Sequence, residues 1–378
     1  MENQAVPVRE DNAEVLHVAF ELSRKKWKLG FSDGRMPQIR QVTIGSGDLE
    51  GCRREIEKAK KRFGMKASAR VGSCYEAGRE GFWLHRGLTE MGVENIVVDA
   101  ASIEVNRRQR RAKTDRMDVQ KLVRQLVRYR RGEHDVWRIV RVPSPEEEDR
   151  RQLHRQLEVL KEERKRHRVR IQSLLYTQGI DVSVGRDFLK KLEQLRCWNQ
   201  QPISGELKRR IEGEYHRLQL VEVQAREIKK SQAQRLKAAN KDAVMEKVRK
   251  LQQLMGIGMG SSWVFVMELF GWRSFDNRRE VAGAVGLTPT PYNSGDRVRE
   301  QGISRAGNHR VRRLAIEIAW CWLRLQPDSH LSQWYKQRFA GGGARMRRIG
   351  IVAMARRLVI DLWRYLEIGT VPKGAVAR

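Results

Sequence analysis

The order of strand-like and helix-like segments in the first third of this 378-residue chain constrains its fold more than any other feature. Apolar and β-branched runs predict strands, and longer segments with apolar residues every three or four positions predict helices. The predicted strands cover residues 14–20, 26–31, 38–44, 67–75 and 95–98, and the predicted helices cover residues 48–63 and 81–91. An antiparallel meander followed by alternating strands and helices predicts an α/β domain over residues 13–131.

Acidic residues stand where these predicted strands end. Glu21 closes the first strand and Glu76 closes the fourth, while Asp115 and Asp118 share one face of the helix that follows. Asp99, just after the last predicted strand, is the alternative ligand if the strand register differs. Because four converging carboxylates repel one another unless divalent cations neutralise them, the pattern predicts Mg²⁺. Two such ions support nuclease or strand-transfer chemistry on a phosphodiester.

The excess of basic residues predicts a polyanionic partner. Lys and Arg number 76 against 46 acidic residues, which gives a formal net charge of +30. The cations come in runs, which favours nucleic acid as the partner over a merely solvated basic surface. The run that leads into the acidic helix supplies the predicted nucleic-acid contacts Arg107, Arg108, Arg110, Arg111 and Lys113.

The cysteines and the hydropathy of the chain predict a cytoplasmic, DNA-associated protein. The amino end has no apolar signal region, and no apolar stretch is long enough to span a membrane. The cysteines show neither close pairing nor the spacing of a zinc site, so we predict reduced thiols at Cys52, Cys74, Cys197 and Cys321.

A proline-containing break at residues 142–145 starts a new part of the chain. Ser144, Pro145 and Glu147 have the pattern of a helix start with a capping box. Apolar residues at heptad-like spacing then predict a charged helix, and a second helix over 205–247 completes an antiparallel hairpin, either a solvated spacer or a dimerising coiled coil. The predicted organisation is an α/β domain (1–143), a helical coiled-coil segment (144–247) and a mainly α-helical domain (248–378).

Two glycine-containing segments of the last domain are candidates for phosphate contacts. Gly256 and Gly258 lie in a turn between predicted helices, which either offers N–H groups to phosphates or serves only steric needs. In a predicted loop over 286–306, Ser294 precedes a glycine and is either a nucleophile or part of a turn that contacts DNA. The cations that could stabilise charge on a phosphate there are Arg297, Arg299, Arg305 and Arg310.

Several motifs in a fixed order give the chain a resemblance to a known family. They are Ala19–Ser23, Tyr75–Leu84, Ala112–Asp118, Met255–Gly258, Asn293–Gly295 and Gly302–Asn308, followed by Ile351–Leu358 and Leu362–Tyr365. Over nearly its whole length the chain resembles the DEDD-type insertion-sequence transposases of the IS one-ten and IS eleven-eleven group. The order of elements in its first domain is also that of the RuvC and ribonuclease H fold.

This resemblance implies a RuvC-like domain that holds the acids, a coiled-coil connection and a helical transposase domain with a serine nucleophile. Glu76, Asp115 and Asp118 match the family's acidic positions, and Ser294 matches its serine. Glu21 stands where the family usually has aspartate, and its additional methylene shifts the position of the metal. The resemblance further implies a structured noncoding guide RNA, called the bridge RNA, that pairs with donor and target DNA. It also implies a homo-oligomer, from dimer to tetramer, in which the acids of one protomer meet the serine of another.

Two rival functions remain open at this point. In the first, the acids cut DNA with water, as in junction-resolving nucleases, and Ser294 only contacts DNA. In the second, the replacement of aspartate by Glu21 marks a derivative that binds nucleic acid without catalysis. A protein-linked cut end separates a serine nucleophile from the first rival, and Mg²⁺-dependent activity excludes the second.

Overall fold

A computed structural model describes residues 14–35, 37–103, 115–294 and 297–377, with the backbone alone at 101, 115–116, 291–294 and 297–301. The chain divides into two units, Met1–Pro143 and Ser144–Arg378.

The first unit is built on a mixed five-stranded sheet in the order β3-β2-β1-β4-β5. β1 pairs antiparallel with β2 and parallel with β4, which places these two strands on either side of it. The strands are β1 (Val15–Leu22), β2 (Lys26–Ser32), β3 (Arg40–Gly45), β4 (Arg70–Glu76) and β5 (Glu94–Val98), and the helices are α1 (Leu49–Arg62), α2 (Trp83–Glu90) and α3 (Asp115–Arg130). The predicted α/β architecture is confirmed, although β4 begins three residues later than expected.

Close packing fixes α3 on the sheet. A Cβ at Gly30 of β2 would lie 2.8 Å from Val123 Cγ2, so only glycine allows the helix to approach this strand closely. At the other end of the helix, Arg130 Nη1 donates to Glu94 Oε2 at 2.8 Å. Buried side chains of α3 fill the space between these points, namely Val119, Leu122, Val123 and Leu126.

A helical hairpin begins the second unit. The helices of this part of the unit are α4 (Pro145–Asp149), α5 (Gln152–Tyr176), α6 (Phe188–Gln194), α7 (Gly205–Ala238) and α8 (Ala243–Gln252). The two arms of the hairpin are α5 and α7. The predicted capping box at Ser144 is confirmed, because its Oγ accepts from the Glu147 N–H and the Glu147 carboxylate accepts from the Ser144 N–H. The late residue Arg170 of α5 pairs with the early residue Glu214 of α7 at 2.9 Å, so α5 and α7 run antiparallel, as predicted.

The predicted helix over 205–247 is wrong at its carboxyl end. α7 stops at Ala238, and Asp242 starts α8 by accepting from the Val244 N–H at 2.8 Å. An aspartate that can cap a new helix competes with continuation of the old one.

The remaining elements form the largest apolar core of the described chain, which includes Trp263, Trp322 and Leu358. They are α9 (Met259–Phe265), a π-helical turn (Val266–Phe270), α10 (Arg278–Ala284), β6 (Pro289–Ser294), β7 (Arg297–Ile303), α11 (His309–Leu325), α12 (His330–Tyr335), a second π-helical turn (Lys336–Ala340) and α13 (Ala344–Ile368).

The predicted loop over 286–306 is a β-hairpin of β6 and β7, so that prediction is wrong. Prolines at 289 and 291 argued against a strand, because proline cannot donate to a central β ladder. In a two-stranded hairpin both strands are edges, and the pairing is irregular between Pro289 and Pro291.

Two further predictions concern the state of the cysteines and the presence of membrane-spanning helices. All four cysteines are free thiols, as expected, with Cys52, Cys74 and Cys197 buried and Cys321 half-buried. Among the described residues, no helix combines the length and the apolar character that crossing a membrane requires.

Candidate functional site

Two of the four predicted carboxylates line one cleft of the first unit. β1 and β4 are in register up to Phe20 opposite Tyr75, so Glu21 and Glu76 are the next residues on adjacent parallel strands. Both line a cleft of about 380 Å³ at the carboxyl ends of these strands. Glu21 is half-buried and Glu76 is exposed, so both carboxylates border solvent.

Asp118 is not among the residues that line this cleft, although the packing of α3 on the sheet sets its level along β4. Cys74 Sγ lies 4.0 Å from the Leu122 carbonyl oxygen, which sets the height of Leu122 against β4. From that level, Glu76 is two strand residues further on, about 6.6 Å at roughly 3.3 Å per residue. Asp118 is four helix residues back, about 6 Å at roughly 1.5 Å per residue. Because α3 runs antiparallel to β4, both steps lead toward the same edge of the sheet.

Asp115 is the first residue of α3, one turn before Asp118. Its side chain lies outside the described part of the chain. Among the side chains that are described, no group of three or more His, Cys, Asp or Glu is placed to hold a metal ion. The described side chains therefore bring Glu21 and Glu76 to one cleft without making a three-ligand metal site.

Asp99 stands at the same edge of the sheet. Glu76 pairs with Val98 in the β4–β5 ladder, so Asp99 is the first residue beyond β5. Its N–H donates to the Arg138 carbonyl oxygen at 2.9 Å, which fixes the backbone there. Asp99, the alternative ligand for a different strand register, is not among the residues that line the cleft with Glu21 and Glu76.

The cleft also contains two cations that the sequence analysis did not select. Arg24 and Arg79 line it beside the two glutamates. Arg79 pairs with Glu80 at 2.7 Å, and both its side chain and that of Arg24 are exposed. The sequence could have indicated Arg24 and Arg79 by their positions, because each follows one of the two glutamates by three residues.

Ser294 ends β6 at the tip of the hairpin in the second unit. The ladder places Ser294 opposite Arg297 and Tyr292 opposite Arg299, although the side chains of all four lie outside the described part. The backbone register therefore puts two of the predicted cations on the strand that faces the predicted nucleophile.

The other two cations predicted near Ser294 have different surroundings. Arg305 is exposed, with a left-handed φ of +57°, in the segment that follows β7. Arg310 lies in α11 and donates from Nε to Glu158 Oε2 at 2.7 Å, so its guanidinium is tied to α5.

The glycine turn joins α8 to α9. Gly256 has a φ of +94°, which requires glycine, and Gly258 is the N-cap of α9. The Gly258 N–H donates to Ser261 Oγ at 3.0 Å, so this donor is already engaged within the turn. The predicted nucleic-acid contacts Arg107, Arg108, Arg110, Arg111 and Lys113 lie outside the described residues.

A buried charged network lies at the base of the serine hairpin. Glu268, only 1% exposed, sits in the π-helical turn after α9. Burial alone would raise the pKa of its carboxyl, but hydrogen bonds from His154 and Arg155 outweigh burial and hold the pKa well below its usual range. Asn308 donates to the same carboxylate at 2.9 Å and caps α11 with its Oδ1. The sequence signal for this network is an acid inside the apolar run 265–270.

Comparison with known proteins identifies the family. Residues 248–334 match the model of the transposase IS116/IS110/IS902 family. The chain is 40% identical over 379 residues to the protein named "Putative transposase y4rJ" of Sinorhizobium fredii, covering 96% of this chain and 94% of that protein. It is also 25% identical over 128 residues to the transposase for insertion sequence element IS1328 of Yersinia enterocolitica, covering 33% and 37% of the two chains. The chain therefore belongs to the IS116/IS110/IS902 family of transposases.

Proposed function

We propose that this transposase excises and inserts its element by strand exchange, with Ser294 as the nucleophile and Glu21, Glu76, Asp115 and Asp118 as ligands of Mg²⁺. The observation that supports the proposal is the meeting of Glu21 and Glu76 in one cleft at the carboxyl ends of β1 and β4. All donors of this set are carboxylate oxygens, which suit Mg²⁺ better than softer metals. When bound, the ion supplies neutralisation of charge on a phosphate and activation of an oxygen nucleophile.

The covalent step is a transesterification at one DNA phosphate. The Ser294 Oγ–P bond forms while the bond between the phosphorus and one deoxyribose oxygen breaks. The serine proton leaves the nucleophile, and the released deoxyribose oxygen takes up a proton. A hydroxyl of the second strand reverses the step at the phosphoserine, so bond energy is conserved for rejoining. Guanidinium groups stabilise the charge on such a phosphate, a role we assign to Arg297 and Arg299.

We extend the proposal to guidance by a structured noncoding RNA. Base pairing between such an RNA and both donor and target DNA would supply sequence recognition, leaving the protein mainly with phosphate contacts. The net charge of +30 suits a protein that holds RNA and two duplexes. We also propose a dimer or tetramer in which the acids of one protomer act with the serine of another.

The test is a strand-exchange reaction with full-length protein, element-flanking RNA, labelled donor and target duplexes, and Mg²⁺ or a chelator. The expected products are recombinant junctions and a protein–DNA adduct that both require RNA and Mg²⁺. Ser294→Ala should abolish the adduct. Ser304→Ala is the matched control, because Ser304 Oγ is half-buried against Thr288 Oγ1 at 3.3 Å in the same segment.

The acidic site is tested in the same reaction by Glu76→Gln and Asp118→Asn. Both should reduce junctions and adduct at least 10²-fold if the carboxylates act in the chemical step. Glu50→Gln, at an exposed i,i+3 pair on α1, is the control and should retain activity. An undiminished adduct in Ser294→Ala would refute the serine nucleophile. Free cut ends without an adduct would favour a metal-dependent nuclease.

A further inference from the structure

The segment between Asp328 and Asp361 is the longest strongly basic stretch of the described second unit that has no acidic residue. It contains no Asp or Glu, and its cations are Lys336, Arg338, Arg345, Arg347, Arg348, Arg356 and Arg357. A surface of this kind repels itself in the free protein, and a polyanion relieves that repulsion.

This segment has the connectivity of a helix-turn-helix. The first helix is α12 with its π-helical extension, the turn is Gly341–Gly343, and the second helix is α13. A Cβ at Gly350 would lie 2.4 Å from Phe339 Cγ, so glycine allows the two helices to cross closely. Short glycine turns between crossing helices are typical of this motif.

The start of α13 stands clear of the core. All six residues from 344 to 349 are exposed, and Gly350 is the first buried one. Six successive helical positions cover the whole circumference of a helix, so no side of this end is packed. Met346 and Ile349 are 46% and 47% exposed, which leaves apolar surface among the cations.

The exposed end is nevertheless held in place. The buried Tyr335 donates from its hydroxyl to the Arg347 carbonyl oxygen at 3.3 Å. Beneath it, the guanidinium groups of Arg338 and Arg357 lie 5.8 and 4.0 Å from the ring centre of Trp334. Burial, and to a smaller extent the neighbouring Arg338, lower the pKa of Arg357.

The arginines at this end differ in their ionic contacts from other exposed arginines of the described chain. In the part of the chain that the structure describes, none of Arg345, Arg347 and Arg348 forms an ion pair. On α1, by contrast, Arg53 pairs with Glu50 of the same helix and Arg54 pairs with the N-cap Asp48. Unpaired cations on a fixed helix are available to phosphates.

We propose that the exposed start of α13 enters the major groove of duplex DNA, with Arg345, Arg347 and Arg348 contacting phosphates and base edges. The inference rests on DNA being the substrate, as in the proposed function. The major groove of B-DNA is about 12 Å wide and admits an α-helix, whereas the major groove of A-form RNA is too deep and narrow. The first residues of the second helix read bases in known helix-turn-helix proteins. Met346 and Ile349 supply the apolar surface that contacts thymine methyl groups.

The test compares full-length wild type with the triple variant Arg345→Ala, Arg347→Ala and Arg348→Ala in binding to a mixed-sequence duplex. Each phosphate contact contributes about 0.9 to the slope of log K against log salt concentration. The variant should therefore lose about 2–3 from the slope, which corresponds to about 10²-fold weaker binding near 0.15 M salt. Wild type should also protect guanine N7 in the major groove from methylation, and the variant should not.

A charge-matched control removes three cations elsewhere. Arg53, Arg54 and Lys58 are 59%, 64% and 63% exposed on α1, and each pairs with an acid. Their triple alanine variant should keep the wild-type slope. Circular dichroism checks that both variants are folded, which is expected because alanine favours helix at exposed positions.

Four outcomes would overturn the inference. An unchanged slope and unchanged N7 protection in the α13 variant would remove this helix from the DNA interface. Loss of binding to a structured RNA hairpin with full retention of duplex binding would assign the patch to RNA instead. Failure of the wild type to bind any duplex would defeat the proposed function as well, whereas strand exchange that persists unchanged in the α13 variant would defeat this inference alone.

Discussion

Replacing Glu268 by glutamine is expected to destabilise the second unit by about 3–5 kcal/mol. The carboxylate is 1% exposed and joins three elements, since its partners come from α5 and from the start of α11. Glutamine has the same shape but no charge. The change therefore tests whether the network depends on charge and acceptor count rather than on volume.

The magnitude follows from the four hydrogen bonds of the carboxylate. Oε1 bonds to His154 Nε2 and accepts from Arg155 Nε, both at 2.8 Å. Oε2 accepts from Arg155 Nη2 at 3.0 Å and from Asn308 Nδ2 at 2.9 Å. Whichever oxygen becomes an amide nitrogen, two donors then face another donor. Removing one partner of a buried ion pair costs about 3–5 kcal/mol, which agrees with the loss of two charge-assisted bonds at about 1.5–3 kcal/mol each.

The assay is thermal unfolding followed by calorimetry. For a unit of this size, 1 kcal/mol corresponds to about 2–4 °C, so the transition of the second unit should fall by about 6–20 °C. Glu158→Gln is the matched control, because Glu158 also joins α5 to α11 through Arg310 but is 24% exposed. Solvent screens this pair, and the expected cost is about 1 kcal/mol. A Glu268→Gln transition no lower than that of Glu158→Gln would refute the reasoning.

The pH dependence of the transition temperature provides a second test of the role of the Glu268 charge. The folded pKa of Glu268 lies below its ordinary value of 4.5, so its stabilisation is present above pH 4.5 and is lost as the pH falls through the lowered pKa. The gap in transition temperature between wild type and Glu268→Gln should therefore be full at neutral pH and narrow progressively below about pH 4.5. A gap that stays constant down to pH 3 would show that the charge of Glu268 is not the source of the effect.

Two further predictions concern the first unit and the thiols. Gly30→Val should lower the stability of the first unit by about 1–3 kcal/mol, because a Cβ there already meets Val123 Cγ2 at 2.8 Å, and a normal denaturation midpoint would contradict the close packing of α3. Burial raises the pKa of Cys52 to about 12 and of Cys74 further, so a thiol reagent at pH 8 should label Cys321 first, as mass spectrometry of native protein would show. Early labelling of Cys74 would contradict its burial.

Local patterns in the sequence were sufficient for most of the first unit. β1 and β4 are interior strands of the sheet, and five successive residues of each are buried, which agrees with their prediction as buried strands. Asp48 before α1 and Ser144 before α4 are N-caps. Each side-chain oxygen accepts a hydrogen bond from the backbone N–H three residues later. Such signals are readable from a single chain because their partners are close in sequence.

The features that were missed depend on contacts between distant residues. Glu268 lies 114 positions from His154, so no local pattern identifies its partners. The β6–β7 hairpin was mistaken for a loop, because prolines and glycines conceal the alternation that marks a strand. The placement of Arg310 against Glu158 likewise follows from helix packing. From the sequence alone, Arg310 is only a candidate cation for a phosphate near Ser294.

In both units, a residue with a proposed chemical role lies near the end of an element that is anchored elsewhere by packing. α3 is fixed by the close approach of Val123 to Gly30 and by Arg130 on Glu94, so the position of Asp118 depends on contacts further along the same helix. β7 returns into a segment that ends at Asn308, which is bound by Glu268 and hence to α5. A change at either anchor therefore moves a proposed catalytic group without touching nucleic acid. A change at an anchor should lower the rate of strand exchange more than the affinity for DNA. A change at the start of α13 should lower the affinity for DNA more than the rate.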